Sequence, residues 1–190
     1  MIKKALVEYC APTLAGIKTG NIFSIKNGKT DIYREIRKLN GILVGRGLRL
    51  IPIRKTEKDT LIYLYRPDRL KEDLKDPKAA EILETKGYPC GNSDGCLATL
   101  VKHLKTDKSF PHEIGLFLGY PPSDVEHFME DPCRGVKCVG CWKVYSNECE
   151  ARKTFEQYKK CTDFYHKESV CGKPLEALIA DTENDIRFAI

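Results

Sequence analysis

The sequence predicts an α+β fold, a small antiparallel sheet of three to five strands covered by several helices. Three observations predict it. Leu48 to Arg54 and Thr60 to Arg66 are two apolar, β-rich runs joined by the charged linker Lys55 to Asp59, the pattern of a hairpin over residues 48–66. Ile32, Ile36, Leu39 and Leu43 recur at helical spacing, as do Ala151, Phe155, Tyr158, Thr162 and Tyr165. A further β-rich run over 136–145, centred on Cys141-Trp142-Lys143-Val144-Tyr145, adds a strand remote from the hairpin.

Residues 1–10 favour helix through Ala5, Leu6 and Tyr9, and the Ala11-Pro12 pair biases the chain toward an extended conformation. Ile22 to Ile25 reads as a short strand. Thr30 or Asp31 can cap the 32–43 helix, and Gly45-Arg46-Gly47 makes the turn into the hairpin. Pro52 cannot donate to a ladder, so its strand is an edge or carries a bulge. In the second strand Tyr63 and Tyr65 share one face, Ile62 and Leu64 the other. A short helix over 69–75 precedes Asp76-Pro77, where Asp caps and Pro opens another helix that Gly87 stops. The breaker-rich loop 88–95 leads to a helix capped by Ser93 or Asp94, with Leu97, Leu100, Val101 and Leu104 as its stripe. Residues 111–118 read as helix, and Ser123 starts another containing Val125, Phe128 and Met129; the two form an αα-hairpin rather than a DNA-reading pair, because the second is acidic. A long helix over 147–166 follows, then a tail over 173–190 that packs loosely.

At 190 residues, 42% hydrophobic and 31% charged, the chain has the composition of a single globular domain over 1–190 with a sizeable core. No apolar run approaches the roughly 20 residues that span a bilayer, and Glu8 interrupts the only apolar stretch near the N-terminus, so the expectation is a cytoplasmic protein with no membrane partner. The net charge of +5 is spread through interspersed acids and bases. The nearest basic patch, Arg46, Arg49, Arg54 and Lys55, is a hairpin rim, which makes nucleic acid an unexpected partner.

Nine cysteines, an odd number, point to reduced thiols used for packing, metal ligation or reactivity rather than to a disulfide framework. Cys10 is a candidate nucleophile, with His112 as its base and Glu113 orienting the histidine; a thiol needs such help because its ordinary pKa of about 8.5 leaves it protonated near neutrality. A helix N-terminus opposes positive charge, which favours a neutral imidazole at His112. The structural alternative is a small core residue at Cys10 and a decorated helix start at 112–113. Cys133, Cys138 and Cys141 form a second set. Their spacing matches zinc knuckles and two-iron ferredoxin ligands, so zinc or an iron–sulfur cluster is a candidate cofactor. On a continuous strand, however, positions 138 and 141 face opposite ways, so a metal site requires a turn at Val139-Gly140. Cys90 and Cys96 flank a flexible loop and match no defined site.

Cys10-Ala11-Pro12-Thr13-Leu14-Ala15-Gly16, Asn21-Ile22-Phe23-Ser24, Phe110-Pro111-His112-Glu113-Ile114-Gly115 and Trp142-Lys143-Val144-Tyr145 resemble, in order, the signatures of a prokaryotic domain-of-unknown-function family found mainly in anaerobic bacteria. The resemblance lends no activity. It draws attention to the polar residues of those segments: Thr13, Lys18 and Asn21 as candidate ligand-binding residues beside Cys10, His112 and Glu113. The expectation is a pocket built from residues 10–21 and 112–113 that binds a small molecule or performs thiol chemistry. The alternatives are a metal accessory protein using Cys133, Cys138 and Cys141, and a scaffold without a site.

Overall fold

Strand β3 (Asp59–Tyr65) lies at the centre of a three-stranded antiparallel sheet, between β1 (Gly20–Lys26) and β2 (Arg49–Lys55). The computed structural model describes residues 1–28, 31–89, 91–107 and 109–180. Central placement explains why every residue from Thr60 to Tyr65 is buried: neighbours cover both edges and both faces. The 48–66 hairpin is therefore present, and β2 is the edge strand that Pro52 demands. Its register also shifts between Pro52 and Arg54, leaving Ile53 as the extra residue of a bulge. Tyr63 and Tyr65 stack with ring centroids 4.7 Å apart on one face of β3. Gly20 allows that face to close, because a Cβ there would stand 2.5 Å from the Tyr63 ring.

The chain divides into two compact units, Met1–Asp68 with Gln157–Ile190, and Arg69–Glu156. In the first, α1 (Ile2–Leu14) and α2 (Ile32–Leu43) supply Leu6, Cys10, Leu14, Ile36, Leu39 and Leu43 to a core shared with Leu50, Ile62 and Leu64 of the sheet. Asp31 caps α2 by accepting from the Arg34 N–H; Thr30, the other expected cap, lies outside the described residues. The extended conformation expected at Ala11-Pro12 is corrected. Helix α1 runs through Pro12 to Leu14, because burial of Cys10, Ala11, Thr13 and Leu14 outweighs the N–H that Pro12 lacks. Of the expected tail, α9 (Leu175–Leu178) and Ile179 contribute buried side chains to this core, and residues 181–190 lie outside the described residues.

Arg66, one residue beyond β3, ties these pieces together. Its Nε donates to the Thr13 carbonyl (2.8 Å) and its Nη2 to the carbonyls of Leu14 (2.8 Å) and Ala180 (3.1 Å). Carbonyls at a helix C-terminus lack intrahelical partners and carry partial negative charge, so a buried guanidinium suits them.

The second unit is mainly helical. Between α3 (Pro67–Asp73) and α5 (Ser93–Thr106) lies α4 (Pro77–Thr85), capped by Asp76, with Gly87 at φ +77° after its end. The α5 cap is Asn92, which accepts from the Gly95 N–H at 3.0 Å, rather than Ser93 or Asp94. The helix expected over 111–118 shortens to the single turn α6 (Ile114–Phe117), followed by α7 (Pro122–Glu130). The strand expected over 136–145 is instead a hairpin of β4 (Cys138–Val139) and β5 (Lys143–Val144). Gly140 is the cause. A Cβ on it would lie 2.3 Å from the Phe155 ring, so only glycine lets the chain turn beneath that ring. Phe155 belongs to α8 (Glu148–Val170), opened by Asn147 accepting from the Glu150 N–H. Among the described residues no helix is long and apolar enough to cross a membrane.

Replacing Arg66 with methionine keeps much of the apolar volume but removes the donors to four carbonyls, those of Thr13, Leu14, Arg46 and Ala180. The expected cost is about 3 kcal/mol in urea unfolding. A loss below about 1 kcal/mol would show that water satisfies those carbonyls as well.

Candidate functional site

Cys10 is fully buried in α1. Desolvation pushes its thiol well above the ordinary range, and the Lys18 charge offsets this only in part. That is the reverse of what a thiolate nucleophile needs. The neighbouring polar residues are engaged with one another. Lys18, itself buried, donates from Nζ to the Gly20 carbonyl (2.6 Å) and to Asn21 Oδ1 (2.5 Å), and Asn21 Nδ2 donates to the Tyr9 carbonyl (2.6 Å). These bonds fasten the end of α1 to the start of β1. Thr13 Oγ1 is buried without a hydrogen-bond partner among the described residues. Cys10 belongs to the first unit and His112 to the second.

His112 and Glu113 are adjacent in sequence but have different surroundings. Glu113 is buried; its Oε1 accepts from the Tyr88 hydroxyl at 2.9 Å and lies 3.5 Å from His103 Nδ1. Tyr88 and His103 themselves meet edge to face, with centroids 5.0 Å apart. Burial first, and then the Glu113 charge, push the Tyr88 phenol upward, which keeps it a donor. The carboxylate expected to orient His112 therefore serves Tyr88 and His103. His112 itself is exposed, and its ring packs against Phe110 and Phe128.

Beside His112, and wholly within the second unit, is a cavity of about 290 Å³. Its walls come from three places: Ile114, Gly115 and Tyr120 around α6, Asp124, Val125 and Phe128 of α7, and Val139 to Lys143 of the β4–β5 hairpin except Cys141. Rings dominate. Trp142 lies against Tyr120 (centroids 5.0 Å) and takes the Phe155 ring edge-on (4.6 Å). His112 meets Phe128 edge-on at 5.0 Å, and the Lys143 ammonium lies over the same Phe128 ring at 5.6 Å. Gly115 keeps the wall thin, since a Cβ there would come within 2.8 Å of Val125.

Asp124 holds the walls in place. Its Oδ2 accepts from Trp142 Nε1 (2.8 Å), and its Oδ1 accepts from the backbone N–H groups of Tyr145 (3.0 Å) and Ser146 (2.8 Å). Burial alone would raise its pKa, but the bonds from Ser146, Tyr145 and Trp142 outweigh burial and hold the carboxyl below the ordinary range.

Cys133, Cys141, Cys149 and Cys171 are exposed and Cys138 half-buried, while Cys90 lies outside the described residues. The turn that a metal knuckle requires at Val139-Gly140 does form. Yet among the described residues no group of three or more His, Cys, Asp or Glu side chains could hold a metal ion, the set Cys133, Cys138 and Cys141 included. Cys161 is packed in the first unit's core, where burial pushes its thiol up to about 12.

Of the expected site residues, only His112 lines the cavity. The sequence places Trp142 and Lys143 on a strand, Phe128 on a helix and Tyr120 outside both, and marks none of them as a site. One available signal was the only tryptophan of the chain placed two residues after a glycine, next to a lysine.

A two-unit α+β protein with an aromatic cavity in its helical unit matches no curated protein and no solved structure. The chain belongs to a family of proteins of unknown function, DUF3793, whose model covers residues 6–179.

Two outcomes follow from the site. Iodoacetamide is expected to label Cys133, Cys141, Cys149 and Cys171 in the native protein and to leave Cys10 untouched until unfolding, as peptide mass spectrometry would read; native labelling of Cys10 would reopen thiol chemistry. Because the folded pKa of Asp124 is depressed, its contribution is complete above the unfolded value of about 4 and is lost as pH falls through the lower folded value. Asp124→Asn should cost about 2 kcal/mol at neutral pH and remove that acid-dependent component from unfolding followed by Trp142 fluorescence.

Proposed function

We propose that residues 69–156 form a small-molecule binding unit whose site is the cavity beside His112. The observation that carries this is the convergence of Trp142, Tyr120 and Phe128 with two basic groups, His112 and Lys143, around about 290 Å³ of space. A predominantly apolar concavity with a few placed polar groups is the usual form of a ligand site, and this volume sits near the lower end of the usual range of about 300 to 1,000 Å³. Val139, 68% exposed, and Phe110, 37% exposed, are apolar side chains left in water near this site, which also suits a binding function. The thiol version loses support because Cys10 is sealed in hydrocarbon and its thiol resists ionisation. A reducing, cytoplasmic setting suits the odd count of nine cysteines.

Trp142, as the only tryptophan, makes fluorescence a direct report on the cavity. In a screen of one- and two-ring compounds, binders are expected to change its emission saturably. Val139→Phe, at a position exposed enough to accept a larger side chain, should narrow the cavity and abolish the response without lowering Tm. Emission that no compound alters, or a response that survives Val139→Phe intact, would favour a scaffold without a site.

A further inference from the structure

We infer, resting on the small-molecule role above, that the ligand is a small aromatic anion: a flat ring system carrying a carboxylate or a comparable oxyanion. The flat part follows from Trp142. Its indole N–H is occupied by Asp124 at 2.8 Å, so the ring presents hydrocarbon and π surface rather than a donor. Tyr120 and Phe155 pack around the indole and fix its orientation, leaving it half-buried at the cavity wall. A rigid indole face selects a planar partner that can stack on it. The volume of about 290 Å³ admits one or two rings.

The anionic part follows from the polar groups of the wall. The single acid there is Asp124, and both its oxygens already accept hydrogen bonds, one of them two. It has little capacity left to meet a cationic ligand. The groups with capacity to spare are donors. The Lys143 ammonium has three N–H bonds; one goes to the Pro132 carbonyl at 2.8 Å, and no carboxylate pairs with it among the described residues. His112 makes ring contacts only, and an imidazole carries at least one N–H whatever its protonation state. Both lie against the same ring, His112 at 5.0 Å and Lys143 at 5.6 Å from Phe128, and both line the cavity. An oxyanion at this wall would accept from Lys143 or His112 while its ring lies toward Trp142. A cation would meet Lys143 and no free acid.

The test uses 2-naphthoate and its neutral isostere 2-naphthamide with the full chain, read by the single indole N–H resonance of Trp142 in ¹H–¹⁵N correlation spectra. The expected result is a saturable shift with 2-naphthoate and binding of 2-naphthamide about tenfold weaker or worse, as loss of a charge-assisted bond implies. Lys143→Met should weaken 2-naphthoate by about tenfold and leave 2-naphthamide unchanged, whereas Lys143→Arg should preserve the preference for the acid. Should Lys143→Met fail to fold, His112→Gln takes its place, with a smaller loss expected for the acid alone. Equal affinity for acid and amide, or an acid affinity indifferent to both substitutions, overturns the anion inference while the small-molecule role stands. If neither compound moves the indole resonance and Val139→Phe leaves the fluorescence screen unchanged, the role itself falls.

Discussion

The carboxylate of Asp124 is the constraint on which the 69–156 unit is built. Three donors converge on it: one indole N–H and two consecutive backbone N–H groups, at 2.8 to 3.0 Å. All three belong to the segment 142–146, which has only two residue pairs of sheet to hold it. A ladder that short has little stability of its own. The segment stays where it is because a buried charge on α7 would lose its solvation and gain nothing without these partners. Fixing Trp142 to α7 in this way also fixes the distance between the hairpin and the helix, which is the width of the cavity. The position of Asp124 in the first turn of α7 adds to the effect, since the unpaired N–H groups there favour a negative charge.

The first unit is organised by the opposite charge. Arg66 is buried against the carbonyls of Thr13 and Leu14, of Arg46 and of Ala180, so three separate stretches of chain meet at one guanidinium. Lys18, also buried, does similar work one turn of chain away by bridging Gly20 and Asn21. Polar residues clustered in a sequence segment can thus reflect the satisfaction of backbone groups at a helix end as readily as a ligand site. Here that distinction separates residues 10–21, whose polar atoms largely face each other, from residues 112–143, whose basic groups face an open space.

The legible parts of the fold were those dictated by local chemistry. Pro52 announced an edge or a bulge because it lacks an N–H, and the strand has both; Asp76-Pro77 with Gly87 marked both ends of α4 because a cap, a fixed φ and a left-handed residue are local requirements. The stripe Ile32, Ile36, Leu39 and Leu43 was readable for the same reason: helical periodicity and burial coincide. The illegible parts were set by distant contacts. Whether 136–145 stays extended or folds back depends on the Phe155 ring above Gly140, fifteen residues further on. Whether Glu113 serves His112 depends on Tyr88 and His103, which no spacing rule connects to it. In the candidate site only His112 could be picked out, because a His-Glu pair is an unusual local signal, whereas an aromatic wall assembled from α6, α7 and a hairpin has no single-segment signature.

The same features explain why this cavity remains open when protein interiors normally close to crystal-like density. Collapse would require the hairpin to approach α7, and the Asp124 bonds already set that separation at hydrogen-bond length. It would otherwise require side chains to swing inward, yet the largest ones are held ring against ring, Trp142 against Tyr120 and Phe155, and Phe128 against His112 with the Lys143 ammonium over it. Gly115 and Gly140 contribute no side chain that could fill the space, and at each a Cβ would collide with Val125 or Phe155. A concavity maintained by a buried charge, packed rings and two glycines leaves apolar surface facing solvent that closer packing would have buried. Stability forgone at one place, with donors left facing the gap, is what a preorganised site requires: the ordering needed to receive a ligand is completed before the ligand arrives.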